Sequence, residues 1–258
     1  MSQDITHIIQ GWKFDPRKNY RIIVGDDGKE KIQIRVDNTA FQGLLQMELD
    51  GRPDGKQPHG YDFTLDYYKN ALEFHRMSKG TDQGFKVDSA VCAELFDESQ
   101  RIYNRYVFLL QLQDYHRVIL DTERNMELFR FVHSYAEREE DRMNLEKWWP
   151  YILRINATAL AMRSIQEKHD FEAALKIILD TRRKIESLEP LEAEEFVLER
   201  ERSRKALDEM EKAIKSHKPL SIREKLEIDL EMAVTEERFE DAALLRDKIK
   251  AIENIKRK

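Results

Sequence analysis

The chain has 258 residues, 41% of them apolar and 36% charged, with a formal net charge of −6 from 44 basic and 50 acidic side chains. That mixture allows a real core under a solvated, salt-bridged surface, and it argues against nucleic acid as a broad partner. One cysteine excludes an intrachain disulfide and a Cys-x-x-Cys zinc site; with no leader-like start and no run near the ~18 apolar residues of a membrane span, the sequence reads as soluble, reducing and cytoplasmic, with no membrane partner.

Glycine divides the chain. All nine glycines lie between Gly11 and Gly84, and residues 85–258 have none. Glycine costs a helix about 1 kcal/mol relative to alanine, so the glycine-free part suits continuous helix. The first part predicts a small antiparallel β unit. The runs YRIIVG and KIQIRV flank DDGK, a hairpin signal, and GLLQMEL at 43–49 supplies a third strand. Ile32, Ile34 and Val36 alternate with Gln33 and Arg35, which predicts one buried face.

The turn-rich DGRPDGKQPHG follows and leads into a helix near Phe63–Met77. Its GRPDGKQ stretch fails as a phosphate-binding loop. The spacing between glycines is one residue short, Gln57 stands where a Ser or Thr would hold magnesium, and no helix follows directly. A structural turn is the simpler reading. The functional alternative is a polar, possible enzymatic or small-molecule site made of Asp50, Arg52, Asp54 and His59, which requires these residues to line a pocket.

From about Lys86 the apolar spacing is helical. Val91, Leu95, Ile102, Tyr106 and Leu109 form one stripe, and Cys92 beside them reads as a buried thiol. About eight helices are expected, with Pro150, Pro190 and Pro219 at helix starts or just past helix ends. The acidic EREED run at 137–141 fits a helix first turn. Trp148, Trp149, Pro150 and Tyr151 form an aromatic knot, suited to core packing at a helix junction or to a peptide groove. The seven histidines show no i,i+4 pairing, so no metal site is expected, and nothing implies a cofactor.

A turn pattern recurs. QLQDYHRVIL, KHDFEAALKI and EERFEDAALL each end a helix in polar residues, then place an aromatic (Tyr115, Phe171, Phe239) three residues before a small or β-branched one (Val118, Ala174, Ala242). Asp114 and Asp170 are positioned to cap the second helix of each hairpin. The first two copies resemble tetratricopeptide-type hairpins, without a strict 34-residue period.

The C-terminal segment LEIDLEMAVTEERFEDAALLRDKIKAI is more specific. Ser221 and Glu224 form a capping box after Pro219, and Ile222, Leu226, Leu230 and Ala233 make an apolar stripe. After a turn at 236–238, Ala242, Leu245, Ile249 and Ile252 make a second one. Two helices this short are marginal alone and gain by docking on another apolar surface. The segment resembles the UVR motif shared by the B and C subunits of the bacterial nucleotide-excision nuclease. Similar motifs occur in Clp-type unfoldases and in activators of protein-arginine kinases, whose cysteine-rich zinc modules this chain lacks. LLQMELDGRPDG likewise resembles the N-terminal signature of bacterial proteins that carry the motif.

The resemblance implies a protein–protein contact made by Leu226, Leu230, Ala233, Phe239, Ala242, Leu245, Arg246, Ile249 and Ile252. The expected partner is another UVR-bearing protein, an excinuclease subunit or Clp-type unfoldase, or a second copy. The expected architecture is mainly α: a β-containing unit over 1–60, a helical-hairpin array over 61–218 and the UVR-type hairpin over 219–258. A non-enzymatic adaptor is the leading functional reading; an accessory DNA-repair factor with direct DNA contact is the alternative.

Overall fold

The computed structural model describes residues 4–38, 40–219, 222–235, 238, 241 and 244–249. The fold is mainly α, with a three-stranded antiparallel sheet near its start. Strands β1 (Tyr20–Val24), β2 (Glu30–Asp37) and β3 (Gln42–Glu48) run in sequence order. The DDGK turn joins the first two: Gly28 sits at φ 76°, a left-handed geometry that favours glycine, and its N–H donates to Gly25 O at 2.9 Å. Between β2 and β3, Asn38 Oδ1 accepts the N–H groups of Ala40 and Phe41, and Asp37 pairs with Gln42.

The alternation in β2 predicted one buried face, but both faces of this strand are covered. Ile32 and Ile34 are buried, and so are Lys31, Gln33 and Arg35. The chain before β1 supplies the second cover. Helix α1 (Thr6–Gly11) offers Ile9 O to Arg35 Nη1 at 3.0 Å. Arg35 lies over the Phe14 ring and Arg21 over Trp12, while Gln33 donates to Gln46 across the ladder. The long arginine stems cover apolar surface while their heads find acceptors.

The helices begin with α2 (Thr64–Lys79), then the hairpin of α3 (Ser89–Gln111) and α4 (Tyr115–Tyr135). Short α5 (Glu139–Glu146) carries the EREED acids in its first turn, as expected from the helix dipole. A second hairpin follows, α6 (Trp149–Lys168) and α7 (Phe171–Glu186), and α6 also packs on α4. Ala157, Ala159 and Ala161 are buried in α6, which lets its neighbours approach closely. Then come α8 (Glu194–His217) and α9 (Ile222–Thr235), and residues 244–249 are helical. Pro150 lies in the first turn of α6, Pro190 between α7 and α8, and Pro219 just past α8. Among the described residues no helix is long and apolar enough to cross a membrane.

The two repeated turns have the same construction. Asp114 accepts the Arg117 N–H at 3.2 Å, and Asp170 accepts the Ala173 N–H at 2.9 Å. Tyr115 and Phe171 open their helices, and Val118 and Ala174 one turn on are fully buried. The residue before each aspartate is left-handed: Gln113 at φ 59° and His169 at φ 52°. Each closes the preceding helix at a position where glycine is the usual solution. The third copy, with Phe239 and Ala242, lies outside the described residues.

Residues 1–211 form one compact unit and 212–258 a second. Within the first, the sheet shares a core with the helices: Ile32, Leu49 and Phe63 pack with Ile102, Tyr106, Leu109, Val118 and Ile155. A second cluster joins Leu65, Leu72, Cys92, Leu95, Leu128, Val132 and Ile152. Burial pushes the Cys92 thiol up to about 11, with Asp141, Asp88 and Glu137 acting in the same sense.

Two outcomes follow from these contacts. Gln113→Gly should raise stability by about 0.5–1 kcal/mol, because it removes left-handed strain, whereas Asp114→Ala should lower it by about 1 kcal/mol; urea titration of both variants checks the opposite signs. Native Cys92 should resist iodoacetamide at pH 8, where almost no thiolate is present, and react at least about a hundredfold faster in urea, where its thiol returns to the ordinary range near 8.5. Raising the pH of the native protein toward 11 should increase the native rate.

Candidate functional site

The turn after β3 carries the first candidate cluster. Its backbone doubles back at Gly51 and Gly55, both left-handed, and a Cβ on Gly55 would meet Glu48 Cγ at 3.3 Å. This geometry turns Arg52 inward. Arg52 is nine-tenths buried, and each of its three nitrogens has a carboxylate partner. Nε donates to Asp54 at 2.9 Å, Nη2 to Asp97 at 3.0 Å, and Nη1 to Thr64 Oγ1 at 2.9 Å with Glu98 at 3.4 Å.

Glu98 is fully buried and does a second job. Helix α2 has no side-chain cap of its own, and the Glu98 carboxylate on α3 accepts the N–H groups of Thr64 and Leu65 at 2.6 and 3.1 Å. A carboxylate at a helix N-terminus meets orphan donors and the favourable end of the dipole. Arg105, about two helical turns further on, donates to Glu48 O and Gly51 O at 3.0 and 2.7 Å and grips Asp121 with two nitrogens.

Of the four residues of the sequence-based polar site, Arg52, Asp54 and His59 stay near one another and Asp50 lies apart. Arg52 and Asp54 pair with each other. His59, at φ 54°, stacks on Tyr67 at 4.3 Å and meets Glu94 at 3.1 Å; it shares a shallow groove with Arg52, Thr64, Glu94 and Asp97. Asp50 is exposed and lies in a different groove, with Arg105, Arg117 and Arg124. Two groups are perturbed here, Asp97 in the first groove and Tyr68 bonded to its Glu94. Burial, then Glu94, pushes the Tyr68 hydroxyl up to about 12, so it stays a donor to Glu94. The Arg101 hydrogen bonds hold Asp97 below the usual carboxylate range. Every nitrogen of Arg52 already faces a protein acceptor.

The second candidate is the C-terminal unit. Leu226, Leu230, Leu245 and Ile249, all on the anticipated stripes, are partly covered, and Arg246 is exposed. Phe239, Ala242 and Ile252 lie outside the described residues, as does the side chain of Ala233. The exposed large apolar residues are others: Ile228, Met232 (49%), Val234 and Leu244 (62%). Residues 228 and 232 stand at i,i+4, one column on the helix surface.

Residues 221–255 match the UVR family, the UvrB/uvrC motif. This UVR segment takes in α9 and the helical residues 244–249. No curated protein and no solved structure matches the chain.

Sequence reading passed over Glu98, Arg105 and Asp121, although a signal was present. Glu98 and Arg105 fall on the same stripe as Leu95, Ile102 and Leu109, so each is a charge at a core position. Ile228 and Met232 lie off the strongest apolar stripe of the UVR segment, so periodicity does not single them out.

Arg52→Met should cost about 3–5 kcal/mol, because it leaves the buried Glu98 carboxylate without its guanidinium. Arg101→Met, which breaks the exposed pair to Asp97 and a longer 3.4 Å contact to Asp54, should cost about 1 kcal/mol. Denaturant midpoints of the two variants test the contrast.

Proposed function

We propose that this protein is a non-enzymatic adaptor that docks a protein partner through its UVR segment. The observation that carries the reading is the set of large apolar side chains exposed on that segment, Ile228, Met232, Val234 and Leu244. Exposed apolar groups gathered on one short unit mark an interaction surface more often than isolated ones do. A helix of the length of α9 is marginal by itself and gains from burying such groups against another helix. The fitting partner is an equivalent hairpin, on another UVR-bearing protein or on a second copy of this chain. The net charge of −6 and the even mix of signs favour protein over nucleic acid. The cluster around Arg52 supports a structural role for that turn, since its guanidinium is held by three carboxylates of the same unit.

Affinity capture with the full chain, with a chain lacking 219–258 and with a Met232→Asp/Leu244→Asp variant tests the reading. Both altered chains should lose the captured partner, or self-association in light scattering, while residues 1–211 keep their helical circular dichroism. Recovery of the same partners without the segment would falsify the proposal. Binding to duplex DNA that weakens steeply with salt would instead support direct DNA contact.

A further inference from the structure

Strand β3 lies at an edge of the sheet, and its outer side is not used by the UVR contact. In the ladder with β2, Asn38 N donates to Phe41 O at 3.0 Å and Leu49 N to Glu30 O at 3.2 Å, and the register between them sets Gly43, Leu45 and Met47 opposite Val36, Ile34 and Ile32. Hydrogen-bonded pairs alternate along an antiparallel ladder. The odd-numbered residues of β3 therefore bond to β2, and the even-numbered ones turn their N–H and C=O groups away from the sheet. Glu48 fixes the phase: its N–H donates to Pro53 O at 2.9 Å, and its carbonyl accepts from Arg105. Gln42, Leu44 and Gln46 have no such cover among the described residues.

Edge strands are ordinarily blunted by charge, proline, a bulge or short length. β3 shows none of these. It runs for seven residues in one-to-one register with β2, and residues 40–47 include no charge and no proline in a chain that is 36% charged. The opposite edge, β1, is shorter, carries Arg21 and is flanked by Arg17, Lys18, Asp26 and Asp27. Large apolar side chains are also exposed along β3 and its approach: Phe41 is 70% exposed and Leu45 56%. Met47, on the same face as Leu45, packs against the helical core instead.

A row of outward N–H and C=O groups with a two-residue repeat fits another extended strand. β3 is complementary to itself in this respect. Two copies laid antiparallel with Leu44 on a two-fold axis bring Leu44 opposite Leu44, and Gln42 opposite Gln46 of the second copy on either side. This is the antiparallel register that uses all three free residues, and each such pair exchanges two hydrogen bonds. Pro53 closes the edge at Glu48, where the chain of the second copy has already reached its β2–β3 turn. No like charges meet. Arg21 donates to Gln33 Oε1, so the Gln33 NH2 donates to Gln46 Oε1, and the Gln46 NH2 is left to give to Gln42 of the second copy. On the other face, Leu45 stands opposite Gly43 and Phe41 opposite Met47 of the second copy, which covers both exposed side chains.

We propose that two copies of this chain associate edge to edge through β3, forming one continuous antiparallel sheet across the pair. The contact is small, so the association is a weak one, and it rests on none of the UVR residues.

Sedimentation velocity of the full chain from micromolar to millimolar concentration, with amide hydrogen exchange followed residue by residue, tests this. A dimer should form as concentration rises. Exchange at Gln42, Leu44 and Gln46 should slow with it by about tenfold or more, whereas Gly43, Leu45 and Met47, already bonded to β2, should change little. Leu44→Lys sets two like charges side by side on the axis and should weaken the dimer at least about tenfold, with the circular dichroism of the monomer unchanged. A chain that stays monomeric at millimolar concentration overturns the proposal and leaves this edge to solvent or to a strand of another protein. A dimer in which Gln42, Leu44 and Gln46 exchange as fast as in the monomer overturns it too, because that contact is made elsewhere, as through the UVR segment. So does a folded Leu44→Lys chain that dimerises as the unaltered one does.

Discussion

The buried carboxylate of Glu98 organises the first 211 residues. It lies on α3, holds the N-terminal N–H groups of α2, and accepts from Arg52 on the turn after β3. Three elements that are far apart in sequence thereby meet at one side chain. Arg105 repeats the device from the same helix, bonding the carbonyls of Glu48 and Gly51 while it grips Asp121 on α4. A buried charge is tolerable only when paired and hydrogen-bonded, so each of these groups dictates where its partners must stand. The sheet and the helices are one compact unit because these ties sit above a shared core.

The helical part rests on a more local device used twice. A left-handed residue closes one helix, an aspartate caps the next, an aromatic fills the corner and a small or branched residue lies beneath it. Each hairpin then offers an apolar face to its neighbour, which is how α4 comes to lie against both α3 and α6. Alanines on α6 make that approach close. Glycine, which would relieve the left-handed positions, is absent from this part of the chain.

Function divides along the same lines. The UVR segment keeps large apolar side chains in water, a poor arrangement for an isolated protein and a useful one for docking. The 1–211 unit, in contrast, pairs its buried charges internally, as at Arg52, Glu98, Arg105 and Asp121.

Sequence alone determined what depends on short-range periodicity and on residue-specific backbone chemistry. The hairpin at DDGK, the third strand at 43–49, the Leu95–Ile102–Leu109 stripe, the aspartate caps and the UVR segment were all legible from local pattern, because each is decided by short-range periodicity or residue type. Tertiary structure decided the rest. The covered second face of β2 depends on Trp12 and Phe14, which pattern within the strand cannot show. The division of Asp50 from His59 arises because Arg52 turns inward to a carboxylate 46 residues away. The UVR unit's exposed column could be seen only once its strongest stripe was found partly covered. A charge or an apolar side chain is assigned its role by what closes over it, and that is a property of the assembled chain.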